Sequence, residues 1–143
     1  MRYLGDVSAF VGESAQAKEY YMQQLALARQ MEDRLIEGIA LRKLGDVDRV
    51  LANFEQAKAH YAQSQRVAQE IQDRKGEGLS LLGQGEVEVS EYNYDSALTN
   101  YETAIEIFQD IQDISGEELG LHNIGEIHRL QSQYEEARDY YQQ

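Results

Sequence analysis

Four glycines, Gly5, Gly45, Gly85 and Gly125, recur at a spacing of 40 residues, and a period of that length restricts the chain to a stacked array of like units. Each glycine is followed by an acid and a β-branched residue: Asp6-Val7, Asp46-Val47, Glu86-Val87 and Glu126-Ile127. Twelve residues after it stands an alanine (Ala17, Ala57, Ala97, Ala137), and four later a tyrosine (Tyr21, Tyr61, Tyr101, Tyr141). Four columns held in one register fix the unit before any single element is assigned.

Within a unit the apolar spacing is helical. Leu41, Leu44, Val47 and Leu51 mark one helix face, and Phe54, Ala57, Tyr61, Ala68 and Ile71 mark a second. Between them Asn53 is the expected N-cap with Gln56 as its capping-box partner, and Asn93 holds the same place one unit later. The other junction carries Asp33, Asp73 and Asp113, followed by Glu37, Glu77 and Glu117, acids that suit a helix start. The pattern predicts two helices per unit, A over 2–11, 34–51, 75–91 and 115–131, and B over 14–31, 54–71, 94–112 and 134–143. A glycine inside a helix costs about 1 kcal/mol relative to alanine. Its recurrence implies close approach of the A and B backbones at the glycine and the alanine, with the tyrosine filling the space toward the next unit.

Length and composition bound the rest. A chain of 143 residues is long enough for one domain with a real core. It contains no cysteine, which removes disulfides, thiolate chemistry and zinc–thiolate sites and fits a cytoplasmic setting. No apolar run approaches the roughly 18 residues of a membrane span, and Met1-Arg2-Tyr3-Leu4-Gly5 lacks a signal-peptide core. The net charge of −13 is uneven: residues 1–80 carry 12 acids and 11 Lys/Arg, whereas 81–143 carry 14 acids against Arg129 and Arg138 alone. Nucleic acid is a poor partner for such a surface. A basic partner is the natural complement, although acidity also serves plain solubility.

The columns resemble the tetratricopeptide repeat: an apolar residue, a Leu-Gly pair, an alanine twelve on and an aromatic four further. Here this reads Leu41…Leu44-Gly45…Ala57…Tyr61 and Leu121…Ile124-Gly125…Ala137…Tyr141. The usual unit has 34 residues. The 40-residue unit, with its Asp73-Arg74-Lys75-Gly76-Glu77 junction, is similar to the longer subclass of kinesin light chain, the Leu-Gly-Asn-repeat adaptors and bacterial signalling proteins. The family's aromatic three after the glycine is replaced by Ser8, Asp48, Glu88 and His128, and its terminal proline is missing. The resemblance implies an all-α, right-handed superhelical solenoid of antiparallel helix-turn-helix repeats, about 3.5 of them, in one array. The units are 1–40, 41–80, 81–120 and an incomplete 121–143. The part-units at both ends read as a segment of a longer array, or as a short chain whose ends meet something else.

The resemblance also implies a concave groove lined by the A helices. The groove positions fall on Arg2, Asp6 and Ala9; Arg42, Asp46 and Arg49; Leu82, Glu86 and Val89; and His122, Glu126 and Arg129, with Lys43 and Asn123 at the margin. Every unit places one acid at the same site. As helix-surface pairs, Arg2–Asp6, Arg42–Asp46 and His122–Glu126 run in the less favourable order, base before acid. The acids therefore read as receivers of Lys or Arg from a bound segment, and the arginines as holders of carboxylates or carbonyls. Tyr21, Tyr61, Tyr101 and Tyr141 read as core, while Tyr3, Tyr20 and Tyr140 are freer.

Enzyme signatures are weak. Glu118, His122 and Glu126 share a helix face, but no second histidine completes a zinc helix. His60 reads as a surface histidine. Gly83-Gln84-Gly85 lies inside a helix and lacks the third glycine of a dinucleotide loop. The expectation is a non-enzymatic scaffold without metal or cofactor that binds a basic or mixed-charge protein segment. The alternatives are an array that stacks end to end with itself, using Leu4 and Val7 at one end and Tyr134, Ala137 and Tyr141 at the other, or the regulatory arm of a larger signalling protein.

Overall fold

The computed structural model describes the backbone of residues 2–142 and the side-chain surroundings of 12–139 and 142. Six helices follow one another: α1 Arg2–Gln30, α2 Arg34–Val50, α3 Phe54–Glu70, α4 Arg74–Ser90, α5 Tyr94–Asp110 and α6 Ile114–Gln142. The connections are tight turns whose central residue is left-handed, at Glu32, Ala52, Gln72, Tyr92 and Gln112, with φ between 57° and 65°. None is glycine, so each costs about 1–2 kcal/mol. That cost is offset by the helix-ending bond from the following residue: Asp33, Asn53, Asp73, Asn93 and Asp113 donate their N–H to the carbonyls of Ala28, Asp48, Ala68, Glu88 and Phe108 at 2.7–2.8 Å.

The acidic junctions cap as the sequence predicts. Asp33, Asp73 and Asp113 accept the N–H of Ile36, Gly76 and Gly116 at 3.1, 3.0 and 3.0 Å. The expected Asn53–Gln56 capping box does not form. Asn53 and Asn93 occupy the N-cap positions without a side-chain cap bond, Asn93 donating instead to Glu88 at 2.9 Å. Gln56 accepts from Lys18 at 3.1 Å.

Six helices stand where the spacing predicts eight. α1 runs through the turn expected near residue 12 and α6 through that near 132, each for 29 residues. The asparagine of the 53 and 93 positions is replaced there by Glu13 and Gln133, helix formers rather than caps, so the backbone keeps its own bonds.

The core explains the glycine columns. The Tyr61 ring, fully buried, lies between two A helices: a Cβ at Gly45 would come within 2.7 Å of it, and one at Gly83 within 2.4 Å. Tyr101 meets Gly85 in the same way, at 2.4 Å. Ala57 and Ala97 are sealed beside them. In these two units the glycine–alanine–tyrosine packing read from the sequence is realised. Tyr21 and Ala17 are half-buried on α1, and Tyr141 lies outside the described side chains. In the last unit the packing is absent. Ala137 is exposed, a Cβ at Gly125 would meet nothing within 4 Å, and Leu121 is 53% exposed where Leu41 and Leu81 are 1% and 6%.

Consecutive helices pack throughout. α2 also touches α4, and α4 touches α6, whereas α3 and α5 make no such contact among the described residues. The A helices therefore form the closely spaced inner layer and the B helices an outer layer that fans apart. Two ionic braces repeat at the A-helix starts: Arg34 reaches Glu37 and Glu70, and Arg74 reaches Glu77 and Asp110. The pairs Arg34–Glu70 and Arg74–Asp110 are exposed and contribute little individually.

A different ionic cluster is buried. Asp48 stands where the family places an aromatic, and its carboxylate is fully enclosed between α1, α2 and α3. Lys18 Nζ donates to Oδ1 at 2.8 Å, and His60 Nδ1 lies 2.6 Å from Oδ2. His60 is thus a cluster member with a side chain 25% exposed, rather than the free surface histidine of the sequence reading.

Candidate functional site

The inner layer brings groove positions of α2, α4 and α6 onto one face. Asp46 and Arg49 project from successive turns of α2, Glu86 from the same position of α4, and Glu126 from α6. The link between core and face is Tyr61. Its ring passes between Gly45 and Gly83, and its hydroxyl, itself enclosed, donates to Asp46 Oδ1 at 2.5 Å. Arg49 Nε lies 3.5 Å from the same hydroxyl, and Arg49 Nη2 reaches Glu86 Oε2 at 3.1 Å. A continuous line, Asp46–Tyr61–Arg49–Glu86, crosses from one repeat to the next.

The charges of this line tune one another. Burial holds the Tyr61 hydroxyl well above its ordinary value, and the bond to Asp46 adds to it. Burial raises Tyr101 too, with Glu86 reinforcing the shift. Burial also raises the Glu86 carboxyl; Arg49 counters this, Asp46 reinforces it and Asn123 counters it again. Asn123 Nδ2 is itself buried beside Glu86 without closing a hydrogen bond of full geometry.

A carboxyl raised on folding favours the protonated fold, so its contribution is greatest below the ordinary carboxylate value of 4.5 and is lost as pH rises through the raised value. Glu86→Gln is expected to melt slightly above the parent at neutral pH, with the difference vanishing as pH falls below that value. Thermal scans of both proteins from pH 3 to 8 check the sign.

The remaining groove positions divide. Glu126 and Arg129 pair within α6 at 2.7 Å, which lowers the Glu126 carboxyl. Arg42 is half-buried and His122 exposed, and neither makes an ion pair among the described residues. The pairs Arg42–Asp46 and His122–Glu126 do not form; Asp46 takes Tyr61 and Glu126 takes Arg129. Leu82 is 3% exposed and belongs to the core cluster of Tyr101 and Phe108, with Val89 packed against it. Arg2 and Asp6 lie on α1 with side chains outside the described residues.

Sequence reasoning gave Tyr61 to the core, where it lies, and missed the bond its buried hydroxyl makes to Asp46 from beneath the groove face. The available signal was the second glycine, Gly83, which leaves the neighbouring A helix open to the ring. Among the described residues no group of three or more His, Cys, Asp or Glu is placed to hold a metal. No described helix is long and apolar enough to cross a membrane.

Hairpins stacked with an inner layer that carries a fixed polar line define an all-α repeat scaffold. The model of the tetratricopeptide repeat matches residues 38–110 and again 77–143. The chain belongs to the tetratricopeptide repeat family. Such repeats mediate protein–protein interaction or scaffolding and are typically non-enzymatic. No curated protein matches the chain.

Proposed function

We propose that the inner face of α2, α4 and α6 binds an extended protein segment bearing Lys or Arg. The observation that carries this reading is the Asp46–Tyr61–Arg49–Glu86 line, held rigid from beneath by a buried ring. Asp46, Glu86 and Glu126 each engage one oxygen in their pairs within the chain, so the other oxygen can accept from a ligand. Arg42 and Arg129 suit acidic flanks. The ligand class is therefore a mixed-charge peptide whose basic residues meet the acid row.

The test is selection from a random peptide display library, followed by titration of the enriched sequences. Lys- and Arg-containing peptides are expected, with affinity falling as salt rises. The Asp46→Lys/Glu86→Lys/Glu126→Lys variant is expected to lose at least about tenfold, or 1.4 kcal/mol, in affinity while keeping its helical circular dichroism. Enrichment of apolar or acidic peptides, or unchanged binding by the folded variant, would refute the reading.

A further inference from the structure

The repeat register shows a side chain missing from the second unit. Positions 68 and 108 face positions 76 and 116 at the start of the next A helix. A Cβ at Gly76 would lie 3.4 Å from that of Ala68, and one at Gly116 would run into the Phe108 ring. In the third unit this ring is fully buried and also presses on Gly78. In the first unit the matching pair is Ala28 and Ile36, so the bulk comes from the other side. The second unit is small on both sides, Ala68 against Gly76, with Gly38 at the place of Gly78. The volume that Phe108 fills one repeat later is left as a cavity of about 230 Å³ between α2 and α4. An apolar cavity of roughly 150 Å³ already holds benzene. Leu35, Ile39 and Leu79 give this one apolar walls. Its polar neighbours are engaged elsewhere: Ser64 donates to the Gly38 carbonyl at 2.7 Å, and Asp73 accepts the Gly76 N–H at 3.0 Å. The cavity is open at its border, where Leu35 is 49% exposed.

We propose, resting on the inner-face reading above, that this cavity receives a phenylalanine ring of the bound segment, seated as Phe108 is seated in the next unit. Leu35, Ile39, Arg42, Asp46 and Arg49 fall on one stripe of α2, so the cavity and the acid row belong to one surface. Ile39 and Arg42 lie about 10 and 6 Å along α2 from Asp46, a span of two or three residues of extended chain. The ligand therefore carries its phenylalanine two or three residues from its Lys or Arg. Arg42 borders the cavity and makes no ion pair among the described residues, which leaves its guanidinium to lie on the ring face. Charge then sets the register of the segment, and the slot selects its aromatic residue.

The test is an NMR titration of the full chain with the acetylated, amidated peptides Phe-Ser-Ser-Arg and Arg-Ser-Ser-Phe. Each is compared with versions in which Ala replaces Phe or Arg. Loss of the ring is expected to weaken the better-binding order at least about tenfold, the worth of burying one aromatic side chain. Ala68→Phe supplies the ring from within. It is expected to raise the melting midpoint by about 4 °C and to erase the difference between Phe and Ala peptides. Ala68→Leu fills part of the slot and is expected to fall between on both readouts. Acetyl-phenylalanine amide, which carries no charge, is expected to shift the Gly38 and Gly76 amide resonances in the parent and not in Ala68→Phe. Equal affinity for Phe and Ala peptides overturns the proposal, as does a phenylalanine preference that survives in Ala68→Phe. A midpoint lowered by both filling variants, or glycine resonances that the capped amide leaves in place, also overturns it. Replacing the peptide Arg without loss of affinity defeats the inner-face reading instead, and the uncharged amide then decides the slot by itself.

Discussion

Tyr61→Ala is expected to destabilise the chain by about 4 kcal/mol, the usual cost of emptying a buried aromatic site, and to lower the melting midpoint by about 12 °C. The loss exceeds that of an ordinary core position because the ring is shared. It fills the seam between α2 and α4 against Gly45 and Gly83, so one truncation opens two helix contacts. The decisive measurement is a double-mutant cycle with Gly83→Ala. Alone, Gly83→Ala sets a methyl group within 2.4 Å of the ring; overpacking of about 1–3 kcal/mol outweighs a helix-propensity gain of about 1 kcal/mol. In the Tyr61→Ala background the same methyl enters the vacated space and the substitution becomes stabilising. Additive effects by urea titration would show that ring and glycine do not form one seam. Tyr61→Phe separates packing from polarity: it keeps the seam, costs about 1–2 kcal/mol through the lost bond to Asp46, and disconnects Asp46 from Arg49 on the groove face.

Removal of Lys18 is the second large effect. Lys18→Met leaves the fully enclosed Asp48 carboxylate with His60 as its one side-chain partner among the described residues, and a loss of about 3 kcal/mol is expected. Replacing both members, Lys18→Met with Asp48→Leu, is expected to cost less than Lys18→Met alone, because the double variant has no charge to strand. The penalty of the single variant persists at about 1 M salt, where exposed pairs such as Arg74–Asp110 are screened out. Chemical denaturation in urea at low and high salt distinguishes the two kinds of pair. Equal losses for single and double variants would mean that the cluster acts through packing rather than charge.

The repeat was legible because its markers act locally and recur. A glycine must face a ring, an alanine must face a backbone and an aspartate must cap a turn, and each leaves a residue type at a fixed spacing. Gly45, Ala57 and Tyr61 were found this way, as were the Asp33, Asp73 and Asp113 caps. The two missed turns were hidden because the periodic markers continue through them. Gly125, Ala137 and Tyr141 keep their spacing even though Gln133 supplies no cap, and period alone does not report whether a hairpin closes. The ion pairs of the groove were not legible for a geometric reason. Spacing along one helix offers only pairs such as Arg42–Asp46, in the less favourable order, and does not report that adjacent A helices lie close enough for Arg49 to reach Glu86. Burial of His60 against Asp48 likewise depends on where α1 passes, which no spacing within α2 or α3 encodes.

Among the described residues the inner helices touch their neighbours and the outer helices α3 and α5 do not, which gives the array the mechanics of a leaf spring clamped along one edge. Distances measured along the inner edge, such as that from Asp46 to Glu86, are fixed by seated rings and resist stretching. Curvature is cheap by comparison, because opening or closing the fan of α3 and α5 breaks no packed contact between them. A strip held along that edge would meet a ruler with constant graduations whose bow adjusts to fit.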